Sequence, residues 1–411
     1  MPRGLCLSGH GRFRVECRPS GVRGKRRERF CIPAKVNVRA EPAGATASGG
    51  PLRLQSRLEV DVYAASTSVA PALAILTLVV SVSCSRLSLA EPMAKPLEPV
   101  AAILEAFQTH QVVALGEGLH GNEQGHAFRL ALVRDSRFPT VVDDIVVEFG
   151  NARYQPLMDR FISGEDIPDR ELRRVWQDTT MPNPLFDSPI YEEFFRSVRD
   201  VNASLPRERQ VRVLLGDPPI QWEHVTTPDA LQEWIVARDR HAADLVHREV
   251  LSKGRRALAI WGDGHFRRYS RWRGSPPEGN HDTLAALIER IGGTRVLTVW
   301  TNTTVELEKL QRDVRSWPVP SLALVRGTRL GKLNFKFYAG METDPPTQME
   351  DQYDAVLHLG PVSSITFSKL VAPALCADAE YTRMRLTRLA LQPGGLAGHD
   401  AVEFKNFCNL Q

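Results

Sequence analysis

Four times in this chain an apolar run ends at a glycine beside an acidic residue or a histidine. Val112-Val113-Ala114 leads into Leu115-Gly116-Glu117-Gly118-Leu119-His120, and Val146-Val147 into Glu148-Phe149-Gly150. Val213-Leu214-Leu215 leads into Gly216-Asp217, and Leu258-Ala259-Ile260-Trp261 into Gly262-Asp263-Gly264-His265. Runs like these, with no polar alternation, suit strands covered on both faces, as in a parallel sheet. Open parallel α/β sheets bind ligands outside the carboxyl ends of their strands. The four polar endings are therefore expected to converge on one site.

Helical spacing fills the gaps between the strands. Leu97 to Thr109, Gly121 to Asp135, Ala152 to Ile162, Tyr191 to Ser204, Pro228 to Ser252 and Thr283 to Ile291 carry apolar residues at helical intervals. Further strands are expected at 296–300 and 356–359, and a long loop with Pro182 and Pro184 at 178–188. The alternation predicts an α/β fold, a mostly parallel central sheet flanked by helices with its cleft at the carboxyl strand ends.

Charge separates the N-terminal stretch from the rest. Residues 1–39 hold eleven Lys/Arg and two Asp/Glu, whereas the whole 411-residue chain has a net charge of +4, so residues 40–411 are net acidic. The basic character thus belongs to a tail, and no nucleic-acid partner is expected. Residues 1–65 read as a disordered basic tail and 66–90 as a signal peptide or signal anchor, with one α/β domain over 91–411. The 14 apolar residues Val69 to Val82 are short for a membrane span, which takes about 20 residues, but suit a signal-peptide core. Ser88-Leu89-Ala90 offers a cleavage site before Glu91. The expected location is periplasmic or extracellular, with membrane attachment only through residues 69–82 if they are uncleaved. In an exported chain the last two cysteines, Cys376 and Cys408, are expected to pair; the alternative is two separate thiols.

Glu117 and His120, three residues apart at a strand-to-helix turn, form a general-base pair in which the carboxylate orients the imidazole. Taken singly, they also read as a helix-capping Glu and an exposed His. Glu148 ends a strand suited to burial, a costly place for an unpartnered carboxylate. His265 follows a glycine turn able to aim it back over the sheet edge. Asp217 reads as a site residue or as turn chemistry before Pro218-Pro219. Trp222 and Trp176 read as pocket wall or core, Arg129 as an anion clamp or a solvated charge, and Arg238-Asp239-Arg240 as a charged helix face. The chain has no Walker A loop, no G-x-S-x-G elbow and no cysteine-rich zinc motif.

Over Ala101 to Ser368 these residues together resemble the erythromycin esterase-like group and its relatives in the Tiki/TraB/ChaN superfamily. The similarity lies in Gly116-Glu117-Gly118-Leu119-His120, Arg129, Glu148, the Arg238-Asp239 pair, the Gly262-Asp263-Gly264-His265 turn and Tyr353 to Gly360. It implies a hydrolase for an ester, lactone or amide of a small molecule, with His120 as base, Glu117 orienting it, and Arg129, Glu148 and His265 completing the site. Asp217, Asp263, Arg238 and Trp222 would contact substrate. The Tiki branch implies a divalent metal on Glu117, His120, Glu148 and His265. The ChaN branch implies a haem- or metal-binding periplasmic protein without catalysis. Esterase-type members tend to carry H-x-x-H in the late turn; here Gly262 holds the first position, as in the G-x-x-H turn of the Tiki/TraB side.

Overall fold

The computed structural model describes residues 91–268, 282–334, 348–393 and 397–410. The basic tail and the apolar segment at 69–82 lie outside these residues. Among the described residues no helix is long and apolar enough to cross a membrane.

Among the described residues, seven strands form one sheet: β1 (Val112–Gly116), β2 (Asp144–Asn151), β3 (Arg212–Asp217), β4 (Ala257–Trp261), β5 (Val296–Asn302), β6 (Ser321–Leu324) and β7 (Ala355–His358). Their order is β3-β2-β4-β1-β5-β7-β6, with β6 antiparallel at one edge and every other pairing parallel. All residues of β1, β2, β4 and β5 are buried, as unalternating apolar strands require. The expected α/β sheet is therefore present. β6 has no counterpart in the sequence reading.

Helices cover both faces. The main ones are α1 (Pro99–Ala106), α2 (Glu123–Arg134), α3 (Gln155–Ile162), α4 (Pro189–Ala203), α5 (Pro228–Glu249), α6 (Leu284–Gly292), α7 (Ala379–Leu389) and α8 (Ala397–Cys408). One core gathers Phe128, Phe149, Phe161, Trp176, Phe194 and Phe195 on one sheet face. A second gathers Leu245, Trp261, Ile288, Trp300 and Tyr353 on the other. Helix starts carry their own caps: Asn122 accepts from Gly125 N–H, Thr227 from Ala230 N–H and Thr283 from Ala286 N–H.

Near the C-terminus, a disulfide joins Cys376 to Cys408 across 32 residues and closes a small core of Val371, Tyr381, Leu389 and Phe404. Neither α7 nor α8 is foreseen by apolar periodicity. The buried face of α7 carries Tyr381, Thr382, Arg385 and Arg388 besides Leu389, so its inward side is polar.

At the carboxyl end of β1, Gly116 lies against the carboxyl of Asp263: a Cβ there would fall 1.6 Å from Asp263 Oδ1. Gly116→Ala is thus expected to destabilise the fold by at least about 1–3 kcal/mol in urea unfolding, and Asp263→Ala in the same chain should recover part of the loss. Replacing Cys376 and Cys408 by Ser should lower stability by roughly 3–4 kcal/mol, the entropy of a loop this long. Thiol counting on the chain from Glu91 onward, under denaturing and non-reducing conditions, should find none.

Candidate active site

The turn after β1 is built to present two side chains. Asn122 donates to the carbonyls of Glu117 (2.7 Å) and Leu119 (2.6 Å) while its Oδ1 caps α2. Gly118 and Gly121 take positive φ, +71° and +80°, which lets the chain double back tightly. Glu117, fully buried, meets His120 Nδ1 at 2.9 Å through Oε2. Arg129, from the next helix, stands 3.3 Å from Glu117 Oε1. The His120 ring keeps about a quarter of its surface in solvent.

The β4 turn supplies a second histidine with its own carboxylate. His265 Nδ1 pairs with Asp239 of α5, and its Nε2 lies 3.5 Å from Glu148 Oε1. Glu148, 2% exposed, does not end its strand as expected: β2 runs on to Asn151, and Glu148 stands just past Val147, the last residue paired with β4, where it links the two halves. Its Oε1 accepts from Arg238 and its Oε2 from Gly262 N–H at 2.6 Å. Gly262 faces His120 as well, since a Cβ there would stand 3.1 Å from His120 Nε2. The result is two histidine–carboxylate pairs on either side of one glutamate.

These contacts set the charges. Burial opposes ionisation of Glu148, but Arg238, His265 and His120 hold its carboxyl well below the usual range. Burial lowers His120, and the Glu117 hydrogen bond with the Glu148 charge outweighs it, leaving the imidazole above 6.5. Burial likewise opposes the His265 cation, yet Asp239 and Glu148 lift it to about 10. Burial pushes Asp217 up to about 6 against the pull of Arg238, and Asp263 up to about 8 against the Thr301 N–H.

Glu117, His120, Arg129, Glu148 and His265 are thus brought together. Three other expected contacts with substrate lie beneath them instead. Arg238 spans Glu148 and Asp217; Asp217 accepts from Thr180 N–H (2.6 Å), Thr180 Oγ1 (2.7 Å) and Arg238 (3.1 Å) and is fully buried. Asp263, also buried, accepts from Thr301 N–H at 3.1 Å. Trp222 sits apart: its indole N–H donates to Thr179 O (3.1 Å) and the Arg388 guanidinium covers its ring. Asp239 is the partner that the residues themselves did not single out, because an acidic residue in Arg238-Asp239-Arg240 looks like a solvated helix face; the family-like Arg–acid pair was its one signal. Phe186, edge-on to His120 at 5.6 Å, comes from the 178–188 loop.

Glu117, His120 and Glu148 offer donor atoms within 4.8 Å of one another, a reach suited to a divalent cation. Their present partners weigh against a resident one. Glu117 Oε1 is buried without a hydrogen bond, with the Arg129 charge 3.3 Å away, but both Glu148 oxygens already accept from Arg238 and Gly262 N–H. A cation would therefore sit among two buried guanidinium groups and a cationic His265.

No family model and no curated protein matches the chain. Solved structures similar to it include a Bacillus cereus protein, at 11% identity and a TM-score of 0.46, spanning 68% of this chain and 97% of that one. An erythromycin esterase mutant in its open conformation is similar at 10% identity and 0.43, over 62% and 92% of the two chains. The haem-binding ChaN of Campylobacter jejuni is similar at 12% identity and 0.35, over 63% and 91%.

Glu148→Gln should leave the buried Arg238 cation with Asp217 as its one remaining carboxylate partner and His265 without Glu148, and cost about 3–5 kcal/mol. Because the folded pKa of Glu148 is depressed, its contribution is complete above the ordinary carboxylate range and is lost as pH falls below it. Acid titration of stability should accordingly be shallower in Glu148→Gln than in the native chain. Elemental analysis should find well under one divalent metal per chain, and equimolar metal would overturn the reading of the donor set.

Proposed function

We propose that this chain is an exported hydrolase in which His120 and His265 act on water and on an ester, lactone or amide of a small molecule. The observation that carries the reading is the pair of histidines, each oriented through Nδ1 by its own carboxylate and both turned toward Glu148. Two like groups whose surroundings set different proton affinities divide naturally into base and acid. Export is supported by the apolar run at 69–82 and by the Cys376–Cys408 disulfide.

His120, the weaker base of the two, takes a proton from water at Nε2 while Glu117 steadies the imidazolium on Nδ1. The water oxygen adds to the carbonyl carbon and the carbonyl π pair moves to oxygen. His265, cationic below about 10, faces the developing oxyanion and donates its Nε2 proton to the leaving oxygen or nitrogen as that bond breaks. The proton held by His120 then passes through solvent to His265. The net change is one water added across one acyl bond, with no co-reactant. Arg238 and the Gly262 N–H keep Glu148 ionised beside both rings, which holds His265 in its charged form.

A panel of aliphatic esters, lactones and amides presented to the chain from Glu91 onward should include a substrate. His120→Ala should then lower kcat about 10²–10⁴-fold, and an unchanged rate would remove His120 from the mechanism. Activity should rise with pH through the His120 pKa, above 6.5, and fall near 10 as His265 loses its proton. Asp239→Asn removes a carboxylate that lifts His265, so the alkaline limb should move to lower pH. A limb that stays put would deny His265 the role of acid.

A further inference from the structure

We propose that α7 is a clamp that positions the active site: its inward face holds loop 178–188 in the one conformation that sets Phe186 on His120 and Thr180 on Asp217. The inference extends the catalytic reading of His120 given above, but it is stated and tested on structure alone.

Tyr381, Arg385 and Arg388 stand at i, i+4 and i+7 on α7 and so share one face. Each grips the loop or the residue just before it. Tyr381 Oη and Arg385 both bond the Asp187 carboxylate, Arg385 Nε at 2.7 Å, with Arg385 and Asp187 almost wholly buried. Arg388 donates to the Gln177 carbonyl (2.7 Å) and to Asp178 (2.6 Å), while its guanidinium lies 4.5 Å over the Trp222 ring. The helix thus pins both ends of an eleven-residue irregular segment that has two prolines and no strand of its own.

What lies between the pins reaches the site. Thr180 gives its N–H and hydroxyl to Asp217, the second carboxylate on Arg238, and Met181 Sδ accepts from Arg238 at 3.7 Å. Phe186 is the neighbour of Asp187 and packs edge-on to the His120 ring. Moving Asp187 therefore moves Phe186. Buried arginine–carboxylate forks impose direction as well as attraction, which suits a device for fixing a loop. Charged and titratable groups facing His120 from the packed elements are Glu117, Glu148, Arg238 and Asp263, and none belongs to α7, so α7 reaches His120 through the loop.

The test is histidine-selective NMR titration of the full chain, following the ring signals of His120 and His265. Arg385→Lys keeps a charge and loses the fork; Tyr381→Phe removes one hydroxyl. Thr387→Ala, on the exposed side of α7, is the control. Release of the loop should shift the His120 ring resonance as Phe186 withdraws. It should also raise the His120 pKa, since less of the ring is desolvated, and leave His265 as it was. Arg385→Lys should show the larger effect and Tyr381→Phe the smaller, with Thr387→Ala showing none. If a substrate has been found, kcat should fall several-fold more than KM changes. Folded Arg385→Lys and Tyr381→Phe chains with native His120 resonance and titration would overturn the proposal. Should Arg385→Lys fail to fold, Tyr381→Phe alone decides it. Because the resonances need no substrate, a failure here is distinct from a failure to find hydrolysis.

Discussion

Glu148 is the group on which the centre of this molecule depends. A carboxylate within a doubly covered strand loses its hydration, and it survives there as an anion only because other groups replace that water. Arg238 comes from α5, the Gly262 N–H from the turn after β4, and His265 from the same turn. One side chain on β2 thereby ties together two strands and a helix. The same ties fix the charge states nearby: Arg238 is satisfied by Glu148 and Asp217, and both histidines gain proton affinity from Glu148.

Close approach of the turns is what allows so many groups to meet. At Gly262 a Cβ would stand 3.1 Å from His120 Nε2 and 3.5 Å from Glu148 Oε2, and at Gly116 it would run into Asp263. A histidine at 262, as in an H-x-x-H turn, would crowd the ring of His120 through its Cβ. With glycine there, the turn contributes a backbone N–H to Glu148 in place of a second ring. Glycine at 262 thus meets a packing limit, and the turn's N–H goes to Glu148.

The layers that surround the site were unequally visible in the sequence. Uninterrupted apolar strands such as Val112 to Leu115 announce burial on both faces, so β1 to β5 and β7 could be placed with their helices between them. Glu117, His120, Glu148 and His265 stood out because polar groups directly after such strands must arrive at the same sheet edge. Asp239 and Arg385 gave no such warning. A charged residue on a helix looks solvated unless its partner is known, and the partners, His265 and Asp187, are 26 and 198 residues away. The α7 helix escaped for the same reason, its buried face being made of arginine, tyrosine and threonine.

By itself, then, the order of residues determined the alternation of strands and helices, the end of the sheet where polar groups gather, and four of the groups there. Those properties follow from local pattern, since a strand's burial and its last residue's direction are set within a few positions. Only the tertiary structure decided which carboxylate serves which histidine, that Arg238, Asp217 and Asp263 lie under the site rather than facing it, and that α7 reaches it through a loop. Such pairings depend on which side chains meet when distant segments pack, and charge and hydrogen-bond partners across hundreds of residues leave no periodic trace in the chain.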